Sequence, residues 1–287
     1  MWYGILFSIC TGLCWSCIGI VLSRFASKKL AVISYGFLQT LLTGIAALFL
    51  VDFKNIGLHD IYILLAFIFS AGVLNSLGQN TVHNAMKRGN HAPVWAISQS
   101  ALIFPFLAGI IFFHNSGGAG QWIGTSLVAT GILVPSAKDV KNVSDWFLPA
   151  ITAFCIFGVV QILYSIPSQL YNNVNMAGAR PLAAAWGGTA GWLLVAAYNK
   201  SYLHFDKWTL LIAGTMVLVQ LLSFKVFFIS LDTLSAANCG NIAFPLITGV
   251  NISGFAAYSI LIRREKTSLP DKIGFGLVIA GLFCIAL

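Results

Sequence analysis

Read for polarity alone, the chain alternates long apolar stretches with short polar breaks. Ten stretches, residues 3–23, 31–51, 61–84, 91–113, 120–137, 146–168, 176–198, 208–231, 236–261 and 271–287, hold almost no charge, and all eight acidic residues fall in or beside the breaks. Hydrocarbon tolerates charge so poorly that an uncharged, mostly apolar run of about twenty residues reads as a bilayer-crossing helix. At a rise of about 1.5 Å per residue, each stretch is about as long as a crossing requires. None shows the alternation, over about ten residues, of an outer-membrane strand. The pattern therefore predicts an all-α integral membrane protein with ten transmembrane helices.

Composition sharpens this. Hydrophobic residues make up 58% and charged residues 8%, against about 25% charged in soluble domains, so no water-facing domain could be covered and none is expected. The formal charge of +8 is dispersed over helix ends rather than gathered on one face, which argues for topology signals and against nucleic-acid binding. Counted by alternate loops, Arg24, Lys28, Lys29, Lys87, Arg88, Lys138, Lys141, Lys200, Lys207, Arg263, Arg264, Lys266 and Lys272 lie on one side and Lys54 alone on the other. By the positive-inside rule the basic side is cytoplasmic, which puts both termini outside a bacterial inner (plasma) membrane. The first stretch has no basic leader or small-residue cleavage site, so it reads as a retained helix. Cys10, Cys14, Cys17, Cys155, Cys239 and Cys284 all fall inside apolar stretches, where a thiol acts as a small apolar filler; no metal or other cofactor is expected.

Small residues reveal an internal duplication. Ile123-Gly124, Leu127-Val128 and Gly131 recur as Ile273-Gly274, Leu277-Val278 and Gly281, an offset of 150. Ala92 matches Ala237, Gly109 matches Gly254 and Asn75 matches Gln220 at 145, while Thr11 and Cys14 match Thr152 and Cys155 at 141. Offsets that rise steadily are what loop insertions in one copy produce. Residues 1–140 form the first five-helix repeat and 141–287 the second. Because five is odd, the second copy enters the membrane from the opposite face, the inverted-repeat design around which transporters alternate access to a midplane site.

The five-plus-five arrangement, the Ala-rich starts of the fourth and ninth stretches, and the ending from Glu265 through Ile273-Gly274 to Gly281 resemble the drug/metabolite transporter superfamily in its EamA-like branch. The resemblance covers essentially the whole chain. It implies a central cavity lined by helices one to four and six to nine, with the fifth and tenth packing outside as the surface through which a homodimer would form. Two departures stand out: Asn115 lies near where the second copy has Glu265, and external termini are not the usual family expectation.

Polar side chains within a bilayer tend to face a partner helix or a wet cavity, so their spacing can be read. Asn75, Gln79 and His83 form one stripe of the third helix with Asn80 beside it, and Tyr35 and Gln39 begin another on the second. Trp95 and Gln99 mark the fourth, Gln161 the sixth, Gln220 and Lys225 the eighth, and Asn241 the ninth, which also holds Thr248 and Asn251. These twelve, Tyr35, Gln39, Asn75, Gln79, Asn80, His83, Trp95, Gln99, Gln161, Gln220, Lys225 and Asn241, are the candidate solute contacts. Arg180, just inside the seventh helix, either snorkels or faces the cavity.

No Asp or Glu lies deep in any stretch, so the buried carboxylate of a proton-coupled exporter of cationic drugs is missing. No phosphate loop, metal-spaced cluster or Ser/His/Asp set suggests an enzyme, and no filter-like repeat suggests a channel. The expected function is a secondary carrier of a small polar metabolite, neutral or zwitterionic, such as a sugar or amino acid. The alternatives are an anionic metabolite paired with Lys225, or a flippase for a lipid or lipid-linked sugar. Apart from its solute, only the surrounding lipid and a second copy are expected as partners.

Overall fold

The computed structural model describes residues 1–28, 31–51, 54, 56–88, 91–115, 117–137, 145–170, 178–264 and 269–286. Glu265 and the basic residues Lys29, Lys138, Lys141 and Lys266 lie outside the described residues. The regular elements are all helical: α1 (Trp2–Lys28), α2 (Val32–Leu48), α3 (Leu58–Ile63), α4 (Ser70–Met86), α5 (His91–Gln99), α6 (Ile103–Ile111), α7 (Ala119–Ala137), α8 (Phe147–Leu170), α9 (Ala179–Tyr198), α10 (Lys207–Ala236), α11 (Ala243–Leu261) and α12 (Leu269–Ala286). A π turn over Leu64–Phe69 joins α3 to α4 in one rod, and a 3₁₀ turn over Ser100–Leu102 joins α5 to α6. A second 3₁₀ turn, Gly240–Ile242, leads into α11. Each 3₁₀ turn stands three residues before a proline, Pro105 or Pro245. Proline has no N–H for the residue four back and crowds its carbonyl, so the helix tightens there.

Among the described residues, six helical rods are long and apolar enough to cross a membrane: Trp2–Lys28, Leu58–Met86, Val94–Ile111, Phe147–Leu170, Lys207–Ala236 and Gly240–Leu261. Val32–Leu48 and Lys272–Ile285 are shorter apolar helices. The chain is built as an integral membrane protein. Several ends depart from the hydropathy pattern: α1 continues to Lys28 rather than stopping at 23, α2 stops at Leu48 rather than 51, and α10 continues to Ala236 rather than stopping at 231, where the carboxylate of Asp232 is paired with Arg180 and so does not force the chain out to water.

Lipid is as apolar as leucine, so helices in it are held by close packing rather than by burial from water, and small residues let backbones approach. A Cβ on Gly191 of α9 would lie 2.6 Å from the Val73 carbonyl of α4, and one on Gly12 of α1 2.6 Å from the Ile247 carbonyl of α11. The most extensive seam joins α7 and α12, which pack chiefly against each other. A Cβ on Gly124 would lie 2.6 Å from the Gly281 carbonyl, and one on Gly131 2.6 Å from that of Gly274. Numbers that rise along one helix as they fall along the other make this an antiparallel pair.

Apolar burial falls into two clusters. Ile5 on α1 and Leu231 and Leu234 on α10 belong to the first; Leu22 and Phe25 on α1 and Ala213 and Met216 on α10 belong to the second. About 1.5 Å of rise per residue puts these members of the two clusters towards opposite ends of the helices, and the clusters meet around the centre, where Phe224 and Phe227 belong to the first and Trp95 and Phe157 to the second.

Gly124→Leu is expected to lower the melting temperature of the detergent-purified protein by several degrees. Gly276→Leu, on a glycine of α12 with nothing within 4 Å of an added Cβ, is the control and is expected to melt as wild type. Equal melting of both would show that the seam does not hold α7 to α12.

Candidate functional site

Between the two apolar clusters lies a cavity. Its aromatic walls are Trp15 on α1, Trp95 on α5, Phe157 and Tyr164 on α8, and Phe224 and Phe227 on α10. Its polar groups are amides: Asn75 and Gln79 on α4, Gln99 on α5, Gln161 on α8, Gln220 on α10 and Asn251 on α11. Ile18 and Val160 complete the lining, and no lining residue is charged.

At one side the amides are locked in a chain. The Trp95 indole N–H donates to Asn251 Oδ1 at 3.3 Å, and Asn251 Nδ2 donates to Gln99 Oε1 at 3.2 Å. Trp95 is held by stacking on Phe255, centroids 5.6 Å apart, and Trp15 donates to Ser223 Oγ at 3.0 Å while resting 5.6 Å from Phe227. The α8 wall is unsatisfied: Gln161 Oε1 and Tyr164 OH are buried without a hydrogen-bond partner. The two residues are 3% and 4% exposed. Buried polar atoms are nearly always paired, and each orphan costs about 1–3 kcal/mol, so this wall holds hydrogen-bonding capacity that no other group of the protein uses.

Six of the twelve sequence-predicted residues line the cavity, namely Asn75, Gln79, Trp95, Gln99, Gln161 and Gln220; the structure puts the other six elsewhere. Tyr35 is buried in α2 against Phe25, centroids 4.7 Å apart, and Gln39 turns to Thr43 on its own helix at 3.3 Å. Helix α2 contributes nothing to the cavity because its small-residue face packs on α9, Gly36 directly against the Trp192 ring; α9 likewise contributes none. Asn80 is one position past Gln79, hence about 100° round the helix, and off the lining. His83 is fully buried, one turn beyond Gln79 and outside the cavity. Lys225 is exposed on the outside of α10. Asn241, at the start of the ninth rod, donates to Gln121 at 3.4 Å and packs on Gly109, bracing a helix joint.

Eight lining residues lie outside the twelve; three of them, Trp15, Tyr164 and Asn251, carry a polar group. Depth was the usable signal. Asn251 lies mid-helix where Asn241 lies at an end, and tryptophan in mid-span is away from the interface it usually occupies.

Beyond the clusters, polar side chains tie the helix ends. At the α1 C-terminal end, Arg263 donates to Ser23 Oγ at 2.9 Å and lies 2.9 Å from His91 Nδ1, itself 2.8 Å from Ser23 Oγ. Guanidinium only donates, so Nδ1 accepts. Arg24 donates to the Tyr258 hydroxyl at 3.1 Å. At the other end, Arg180 neither snorkels nor faces the cavity. It is fully buried, forks onto both Asp232 oxygens at 2.9 and 3.0 Å, donates to Ser168 at 2.9 Å and lies over the Phe228 ring at 5.4 Å. One guanidinium thereby joins α8, α9 and α10.

Residues 2–137 match the model of the EamA-like transporter family. No curated protein matches the chain in sequence. A protein known from a crystal structure shares the fold with a TM-score of 0.67 at 12% identity, over 99% of this chain and 98% of that one. At that identity the likeness is one of fold.

Removing one member of a buried pair leaves the other charge unpaired, at about 3–5 kcal/mol, whereas an apolar replacement of both is often tolerated. Asp232→Ala is expected to destabilise the purified protein by an amount of that order, and the double variant Arg180→Met/Asp232→Leu to melt higher than Asp232→Ala. A double variant that melts below the single one would mean the pair stabilises by more than charge compensation.

Proposed function

Because the chain belongs to the drug/metabolite transporter superfamily through its EamA-like region, residues 2–137, we propose that it is a secondary carrier. On this reading it moves a small polar metabolite, neutral or zwitterionic, by alternating access through the central cavity. The observation that carries this reading is the cavity wall, with amides on α4, α5, α8, α10 and α11, aromatic faces around them and no charge. Amides fix a polar solute through hydrogen bonds and rings cover its apolar parts. In a bilayer such groups are costly unless a solute or water uses them.

We read the ten helical rods as ten crossings arranged as two inverted repeats. Asn75 and Gln220, matched at an offset of 145, both line the cavity, and Asn80 and Lys225, matched at the same offset, are both off it. A two-fold that exchanges Gly124 with Gly274 and Gly131 with Gly281 turns the Gly124–Gly281 contact into the Gly131–Gly274 contact, and both contacts exist. The packing of α1 on α10 has its counterpart in α8 on α4, and that of α2 on α10 in α4 on α9. The basic loops orient the carrier with its termini outside a bacterial inner membrane. The outer α7–α12 pair is the surface for a second copy. The exposure of Lys225 disfavours an anionic solute held by that side chain.

Protein reconstituted in liposomes is expected to show saturable solute uptake and counterflow. Unsaturable conductance would identify a channel instead, and movement of labelled lipid a flippase. Gln79→Ala is expected to lower uptake severalfold at unchanged expression while Asn80→Ala leaves it intact, since only Gln79 reaches the cavity. Equal effects of the two would remove α4 from the solute path.

A further inference from the structure

We propose that the solute is uncharged and rich in hydroxyls, of monosaccharide chemistry, and that Gln161 Oε1 and Tyr164 OH are the groups that select it. This rests on reading the cavity as a solute site and separates two classes that the reading leaves together, neutral and zwitterionic.

The orphaned pair supplies the first argument. An amide oxygen only accepts, and a phenol both donates and accepts. Both residues line the cavity within one turn of α8, and these two atoms are buried beside it without a partner. A hydroxyl offers a donor and two acceptor sites at one atom, so a solute bearing neighbouring hydroxyls satisfies both. An ammonium could answer the Gln161 oxygen, but the carboxylate that accompanies it in an amino acid would find no cation. The second argument is therefore charge: no lining residue is ionisable at neutral pH. The guanidinium of Arg180, off the lining, is forked onto Asp232, and Lys225 is exposed elsewhere. A zwitterion or phosphate ester entering this cavity would exchange water for neutral dipoles, which is unfavourable for an ion. The third is shape: Trp15 and Trp95 stand in the same cavity, and indole faces suit the C–H face of a pyranose while its rim of hydroxyls meets the amides.

The test measures tryptophan fluorescence and melting temperature of the purified full-length protein. The probes are glucose, galactose and mannose as neutral hexoses, serine and glutamine as zwitterions, and glucose 6-phosphate as an anion. At least one hexose is expected to change the fluorescence saturably and to raise the melting temperature. Its affinity is expected to fall about tenfold in Gln161→Leu and severalfold in Tyr164→Phe, as expected for a lost partner to a solute hydroxyl. Tyr164→Phe keeps the ring and serves if Gln161→Leu fails to fold. Tighter binding of serine, glutamine or glucose 6-phosphate than of every hexose overturns the proposal, as does binding of no hexose, or hexose affinity untouched in Tyr164→Phe and in any folded Gln161→Leu. Counterflow separates the two levels. Exchange of an amino acid but not of a hexose refutes the neutral-solute proposal and leaves the carrier standing, while a hexose that binds without exchange does the reverse.

Discussion

The absence of water in the bilayer core is the constraint on which the rest depends, because every polar group there must find its partner within the protein. The chain meets it differently at different depths. Towards one end, Ser23, His91, Arg263, Arg24 and Tyr258 satisfy one another across α1, α5 and α11. Towards the other, Arg180 is answered by Asp232 and Ser168, and Asn115 donates to Gln169 at 3.3 Å. Among the described residues, Gln161 Oε1 and Tyr164 OH, on two residues that line the cavity, have no partner, and neither do Arg180 Nε, Thr248 Oγ1 and Ser259 Oγ away from it.

The same constraint explains why glycine is so prominent. Without a drive to escape water, helices hold together where their backbones touch, as α9 does on α4 through Gly191 and α7 on α12 through Gly124 and Gly131. These contacts divide the work between helices. Helices α2 and α9 turn small-residue and aromatic faces to each other and so stand clear of the cavity, while α7 and α12 form an outer pair. The remaining rods are left to supply the wall, which alternates tryptophan, tyrosine and phenylalanine with amides.

Arg180 and Gln161 show how one cost leads to two outcomes. Arg180 is a charge that lipid would reject, and it persists because a carboxylate and a hydroxyl on two other helices neutralise and orient it. Gln161 is uncharged and cheaper to bury, and it remains unpaired at Oε1 on the cavity wall. The first knits three helices; the second keeps an acceptor that the protein itself does not use.

The helical class and the membrane setting could be read from the chain alone, because hydropathy over about twenty residues is a local property; where several helices end could not. The sequence also showed which side chains share a helical face, since that follows from the helical repeat alone. What each face meets was decided by the tertiary structure. The stripe Asn75, Gln79 and His83 is continuous in sequence, yet its first two members open on the cavity and the third is buried beyond it. The α2 stripe has the same spacing and belongs to packing, and of the asparagines Asn241 and Asn251 only the deeper one lines the cavity. The extension of α10 past Asp232 likewise required a partner 52 positions away in the chain. Periodicity assigns a direction to a side chain, but the helix standing in that direction is chosen by packing between segments far apart in sequence, and no local pattern holds that information.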